Sequence, residues 1–180
     1  MNQTSKRVKR GRMVTPPSKW IPNALFQAIQ KNTPIPCVDL LPVRKTKNGK
    51  FEMLLIKRKI YPEEGKWGLI GGRILKDELT KETIKRQAKE EFGVSVKILL
   101  PWTEITPFAV FNDPVSDKQK HFVVLTFLVI ITKGKIKESG PEWSVAQWFP
   151  MNNLPSPFSF HHKKVLAVLA KYINKNSLSL

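Results

Sequence analysis

The chain has 180 residues, 41% of them hydrophobic, and its 31 Lys and Arg against 14 Asp and Glu give a formal net charge of +17. One domain with a real core fits this composition, which excludes disorder throughout, and the charge points to an anionic partner such as phosphate, nucleic acid or an acidic surface. The single Cys37 excludes an internal disulfide scaffold. The basic N-terminus lacks the apolar stretch of a signal peptide, and the longest apolar run, FVVLTFLVII at 122–131, is too short to span a bilayer. A cytoplasmic setting without membrane contact is the expectation.

In chain order, residues 1–19 read as a basic mobile tail closed by two prolines, and residues 20–180 as the folded domain. Residues 1–38 hold seven Lys or Arg and no acid. Charge blocks of this kind are commonly solvated extensions, and this one is also suited to nucleic-acid binding or to an address signal. WIPNALFQAIQKN predicts a short helix with Leu25, Phe26 and Ile29 on one face. CVDLLPVR and FEMLLIKRK predict strands joined through the turn pair Asn48-Gly49. YPEEGKWGLIGGR reads as a glycine-punctuated loop, followed by a helix over Thr80–Phe92. VSVKILL, ITPFAVF, HFVVLTFLVII and SVAQWF predict strands. An amphipathic helix, HHKKVLAVLAKYI, closes the chain, with His161 and His162 expected to be exposed. The mixed order, without regular βαβ alternation, predicts an α+β fold or a mixed-sheet sandwich.

The stretch RQAKEEFG carries the chemistry. On a helix of 3.6 residues per turn, Ile84, Ala88 and Phe92 form an apolar stripe, and Gln87, Glu90 and Glu91 lie on the adjoining arc. Spacing at i, i+4 and i+8 gives Glu82, Arg86 and Glu90 a structural role as surface ion pairs. It leaves Glu91 unexplained, because two neighbouring carboxylates repel unless a cation sits between them, and Mg²⁺ favours such oxygens. Counting outward from Gly72, five residues lead to Glu78 and seven more to Arg86; Glu90, Glu91 and Gly93 follow, then the apolar Val94.

This spacing, carried by GRILKDELTKETIKRQAKEEFGV, resembles the Nudix box. Six fixed residues match, a coincidence of roughly one in ten million per start position at average residue frequencies. The one departure is Gln87, an amide where the pattern has a glutamate, which predicts fewer or weaker metal ions. The resemblance implies an α/β/α sandwich around a mixed β-sheet and Mg²⁺-dependent hydrolysis of a nucleoside diphosphate linked to another group, with Mn²⁺ as the alternative ion. It further implies that the Gly71 carbonyl, Glu90 and Glu91 bind the metal and that Glu78 and Arg86 brace loop and helix, with Arg86 and Glu90 counted in the catalytic machinery.

Stretches outside the box, FQAIQKNTPIPCVDLLPV, LLIKRKIYPEEGKWGLIGGR and KHFVVLTF, are similar to GDP-mannose mannosyl hydrolases, a Nudix subfamily that releases the sugar by attack at its anomeric carbon. That likeness places Asp39, Arg58 and Arg73 at the substrate and His121 on the strand lining the site. The family's base histidine falls on Trp143, which cannot take a proton, so Glu142 beside it and His121 are the candidate bases. The implied substrate is a nucleoside diphosphate sugar resembling GDP-mannose, attacked at the sugar carbon or at phosphorus, and the implied assembly is a homodimer through residues 20–31 and TPIPCVDLL. The alternatives are a pyrophosphohydrolase of nucleotides or RNA 5′ ends, and a catalytically weak module that binds nucleic acid through the basic tail.

Overall fold

The computed structural model describes residues 21–99, 101–112, 114 and 120–175, so the predicted tail at 1–19 lies outside the described residues. In chain order the elements are α1 (Asn23–Asn32), β1 (Ile35–Lys45), β2 (Phe51–Arg58), β3 (Trp67–Gly68), β4 (Ile70–Arg73), α2 (Thr80–Gln87), a π-helical turn (Ala88–Phe92), β5 (Ser95–Ile98), β6 (Ala109–Asn112), β7 (Phe122–Lys133), β8 (Trp143–Pro150) and α3 (His162–Lys175). Among the described residues no helix is long and apolar enough to cross a membrane.

The mixed sheet is organised on β1. One edge of β1 runs parallel to β7 from Ile35 to Pro42; the other pairs antiparallel with β4 over Cys37–Leu40 and with β2 over Val43–Lys45. Strand β2 carries β8 and β3, and β7 carries β5 and β6. Because both faces of β1 are covered, it is apolar at nearly every central position. Val38 and Leu40, with Leu54, Ile56, Phe127 and Val129, pack against Ile84, Ala88 and Phe92 of the α2 layer. Leu41, Val43, Met53, Leu55 and Leu128 face Val165, Leu166 and Leu169 of α3. The result is the expected sandwich, in which Asp39, between Val38 and Leu40, points to the α3 side.

Three local features differ from the sequence reading. The glycine-punctuated loop contains β3 and β4, because Gly71 and Gly72 let β4 approach β1 and α2 more closely than any side chain would permit. The strand foreseen at 105–111 begins only at Ala109: Thr103 and Thr106 close a turn on each other, with hydroxyls 2.8 Å apart, and Pro107 has no N–H for a ladder. The helix over Thr80–Phe92 widens into a π-helical turn at Ala88, and Gly93 ends it in the left-handed region at φ 76°.

Candidate active site

The helix is tied to the loop before it by Glu78 and Arg86. Arg86 Nε donates to Glu78 Oε1 at 2.7 Å and its NH2 to Glu78 Oε2 at 2.9 Å and to the Arg73 carbonyl at 3.0 Å. Glu78 also accepts from the Leu75 N–H and the Thr83 hydroxyl. Burial alone would raise the Glu78 carboxyl, but the Arg86 guanidinium and these donors outweigh it and hold the group below the usual carboxylate range. Glu82 does not pair with Arg86; its carboxylate accepts the Leu79 N–H at 2.9 Å and caps the first turn.

Glu90 and Glu91 sit side by side on the π-helical turn. Glu90 is reached by Arg86 at 3.3 Å. Glu91 is half-buried, and burial raises its carboxyl, helped by Glu142 and Glu90 and opposed by the Trp143 indole, whose Nε1–H donates to Glu91 Oε2 at 3.1 Å. Trp143 is fully buried, with its ring 5.6 Å from Phe92. Gln87 explains its own departure from the box. Its amide satisfies both neighbours in one orientation: the Nε2–H donates to the Gly71 carbonyl at 3.2 Å, and Oε1 accepts from Arg86 NH1 at 2.9 Å. A carboxylate could not donate to Gly71 and would need a cation between the two oxygens. The donor set that remains, two adjacent carboxylates at the edge of a cavity, fits Mg²⁺ or Mn²⁺.

These groups line a cavity of about 820 Å³ that also takes Asp39, Arg58, Arg73, Lys120, Glu142 and Phe160. Arg58, at the end of β2, lies 3.6 Å from Glu142 and 5.3 Å from the Phe160 ring. The Arg73 guanidinium covers the Phe26 ring of α1 at 4.0 Å. His121 does not join them: Lys120 and Phe122 on either side reach the cavity, whereas its Nε2 lies 2.6 Å from Asn112 Oδ1 across the β6–β7 pair. Cys37 is buried at the wall, where burial and then Asp39 push its thiol up to about 12, so it is no nucleophile at neutral pH.

The expectation for His161 and His162 is overturned. They are 7% and 5% exposed, and each Nε2 lies 3.2 Å from Asp39 Oδ2. Burial would raise Asp39, but the two imidazoles outweigh it and hold the carboxyl at about 2. The signal was present in the helix period: His162 stands i, i+3, i+4 and i+7 with Val165, Leu166 and Leu169, the buried stripe of α3. Lys120 and Phe160 carried no comparable pattern and were missed.

The NUDIX domain family matches residues 34–169. The chain is a member of that family. This NUDIX domain is 32% identical over 125 residues to an ADP-ribose pyrophosphatase of Methanocaldococcus jannaschii, covering 68% of each chain. It is 31% identical over 115 residues to the low-salt glycan biosynthesis protein Agl8 of Haloferax volcanii, covering 64% of this chain and 70% of that one. Among solved structures it superposes on a MutT NUDIX hydrolase from Burkholderia pseudomallei with a TM-score of 0.64 at 25% identity, covering 76% of this chain and 98% of that one.

Proposed function

We propose that this NUDIX domain is a Mg²⁺- or Mn²⁺-dependent hydrolase of nucleoside diphosphate sugars that cleaves the pyrophosphate at phosphorus. The observation that carries this reading is the meeting, in one cavity, of the Glu90–Glu91 pair with Arg58, Arg73 and Glu142. The likeness to an ADP-ribose pyrophosphatase supports the same substrate class.

A cation held by Glu90 and Glu91 would offset the charge of the pyrophosphate and of its transition state. Arg58 and Arg73 are the guanidinium forks for phosphate oxygens. Glu142 is the base: its side chain is 57% exposed, reaches the cavity and stands beside Arg58. His121 is left without that task by its position against Asn112. With a carboxylate as base and Trp143 where the mannosyl hydrolases have histidine, attack at phosphorus is favoured over attack at the sugar carbon. Glu78 and Arg86 hold the loop and helix in register. A homodimer through α1 is consistent with its exposed Leu25.

Phosphorus NMR with Mg²⁺ in ¹⁸O-labelled water, on ADP-ribose and GDP-mannose, tests this. A nucleoside monophosphate and a sugar phosphate, one of them carrying the label, are expected. A nucleoside diphosphate and free sugar would move the attack to the anomeric carbon. No turnover on either compound or on other nucleotide sugars sinks the reading; RNA 5′ ends are then the next substrate, and deleting residues 1–19 asks whether the basic tail contributes.

A further inference from the structure

We propose that Asp39, His161 and His162 form a second metal site, on the α3 side of the cavity, that takes a transition-metal ion of the Zn²⁺ or Co²⁺ type. This site is independent of the Nudix box and of the hydrolase reading. Asp39 comes from the middle of β1 and the two histidines from the start of α3, and their ligand atoms all lie within 4.8 Å of one another. All three residues are at least nine-tenths buried.

An ordinary Asp–His hydrogen bond does not account for the geometry. Both imidazole Nε2 atoms stand 3.2 Å from Asp39 Oδ2, yet Asp39 Oδ2 and His161 Nε2 are buried without a hydrogen-bond partner of good geometry. Burying a charged oxygen and a ring nitrogen in that condition costs more than burying them aligned, and native interiors seldom do so. Ligands of one ion behave in this way, since each lone pair aims at the metal and not at its neighbour. Bonds of about 2.0–2.1 Å at tetrahedral angles set adjacent ligand atoms roughly 3.3 Å apart, close to the two Nε2–Oδ2 separations of 3.2 Å found here.

The donor chemistry selects the ion. Two imidazoles and one carboxylate suit Zn²⁺ or Co²⁺ better than Mg²⁺, which prefers oxygen and water. Three protein ligands leave a position toward the cavity for water or a substrate oxygen. The surroundings hold the ligands in place. His161 stacks on Phe111 at 5.0 Å, and Ser159 Oγ lies 3.1 Å from His162 Nδ1 while donating to the Trp67 carbonyl at 3.1 Å.

His162 is the weakest of the three ligands. Its Nδ1 accepts the Leu69 N–H at 3.2 Å, which leaves its proton on Nε2. Ligation through Nε2 moves that proton to Nδ1, where Ser159 Oγ receives it, and the Leu69 N–H loses its acceptor. Among the described residues His161 shows no such competing bond, so the two histidines contribute unequally.

The test uses the untagged full chain, stripped with a chelator and titrated with Co²⁺. The chain has three histidines, so His121 is the only other source of imidazole. Strong visible d–d bands saturating at one equivalent, displaced by Zn²⁺ and indifferent to Mg²⁺, are expected. His161→Ala should abolish them, and His162→Ala should raise the apparent Kd by about tenfold or more. His121→Ala and Glu91→Gln should leave them intact. Should His161→Ala melt early, His161→Gln, which keeps much of the volume, must lose the bands with its circular-dichroism melt preserved. Bands that are absent, that survive both His161 variants, or that vanish with Glu91→Gln would overturn the proposal.

Discussion

The two walls of the cavity are built on opposite principles. On the α2 wall almost every charge is answered within the chain: Glu78 takes bonds from Arg86, Leu75 and Thr83, Gln87 closes on Gly71 and Arg86, and Trp143 holds one oxygen of Glu91. On the α3 wall three potential ligands crowd together, and two of their atoms have no aligned partner. A wall whose bonds close within the protein sets the position of whatever binds. A wall left open is completed by what binds.

Several substitutions would break this contrast or make it sharper. The largest effect belongs to Glu91→Gln, which removes one of the two carboxylates proposed to hold the cation: kcat should fall by about 10²–10³-fold, the scale of losing one preorganised electrostatic stabiliser, while thermal melting hardly moves. A variant that keeps its rate would detach the α2 wall from catalysis. Arg86→Ala strands Glu78 in a buried position and should cost about 1–3 kcal/mol in urea unfolding, because a charged group loses its donors. If the urea midpoint does not change, the self-contained character of that wall is lost.

Trp143→Phe keeps the aromatic packing on Phe92 but deletes the indole donor. Mn²⁺ binding measured by electron paramagnetic resonance should weaken by about tenfold, the usual cost of removing an outer-shell partner. The smallest effect is that of Gln87→Glu. Without a divalent cation its carboxylate faces the Gly71 carbonyl and should lower stability by about 1 kcal/mol. Added Mn²⁺ should then raise its melting temperature by more than it raises that of the parent, turning a closed contact into one that a cation completes. Equal shifts would mean that the amide had not been standing in for an ion.

Legibility in the sequence followed the same division. The α2 wall could be read at fixed spacing because its residues lie close together in the chain: Gly72 in β4, Glu78 on the loop that follows, and Arg86, Glu90 and Glu91 on one continuous helical stretch. The apolar stripe Ile84, Ala88 and Phe92 was found for the same reason, and the π-helical turn does not displace it. Asp39 and the histidines are far apart in the chain and meet only because β1 runs through the centre of the sheet, a tertiary fact that no local spacing encodes. His162 was nonetheless in phase with Val165, Leu166 and Leu169. The neighbouring Lys163 and Lys164 are exposed, so the first turn of α3 reads as a solvated basic end although His162 lies on the buried stripe. His121 was expected on the strand lining the site, but β7 begins one residue later, at Phe122, and the side chain turns toward Asn112.

The glycine pair in β4 has a mechanical consequence. A methyl group on Gly71 would strike Asp39 and the Val38 carbonyl, whereas a methyl group on Gly72 would strike the Gln87 amide. Two adjacent positions thus act as separate stops, one set against the α3 wall and the other against the α2 wall. At Gly71 the obstacle includes the backbone of β1, so any side chain there would push β4 away from it, whereas at Gly72 the obstacle is the Gln87 side chain, which has some room to turn.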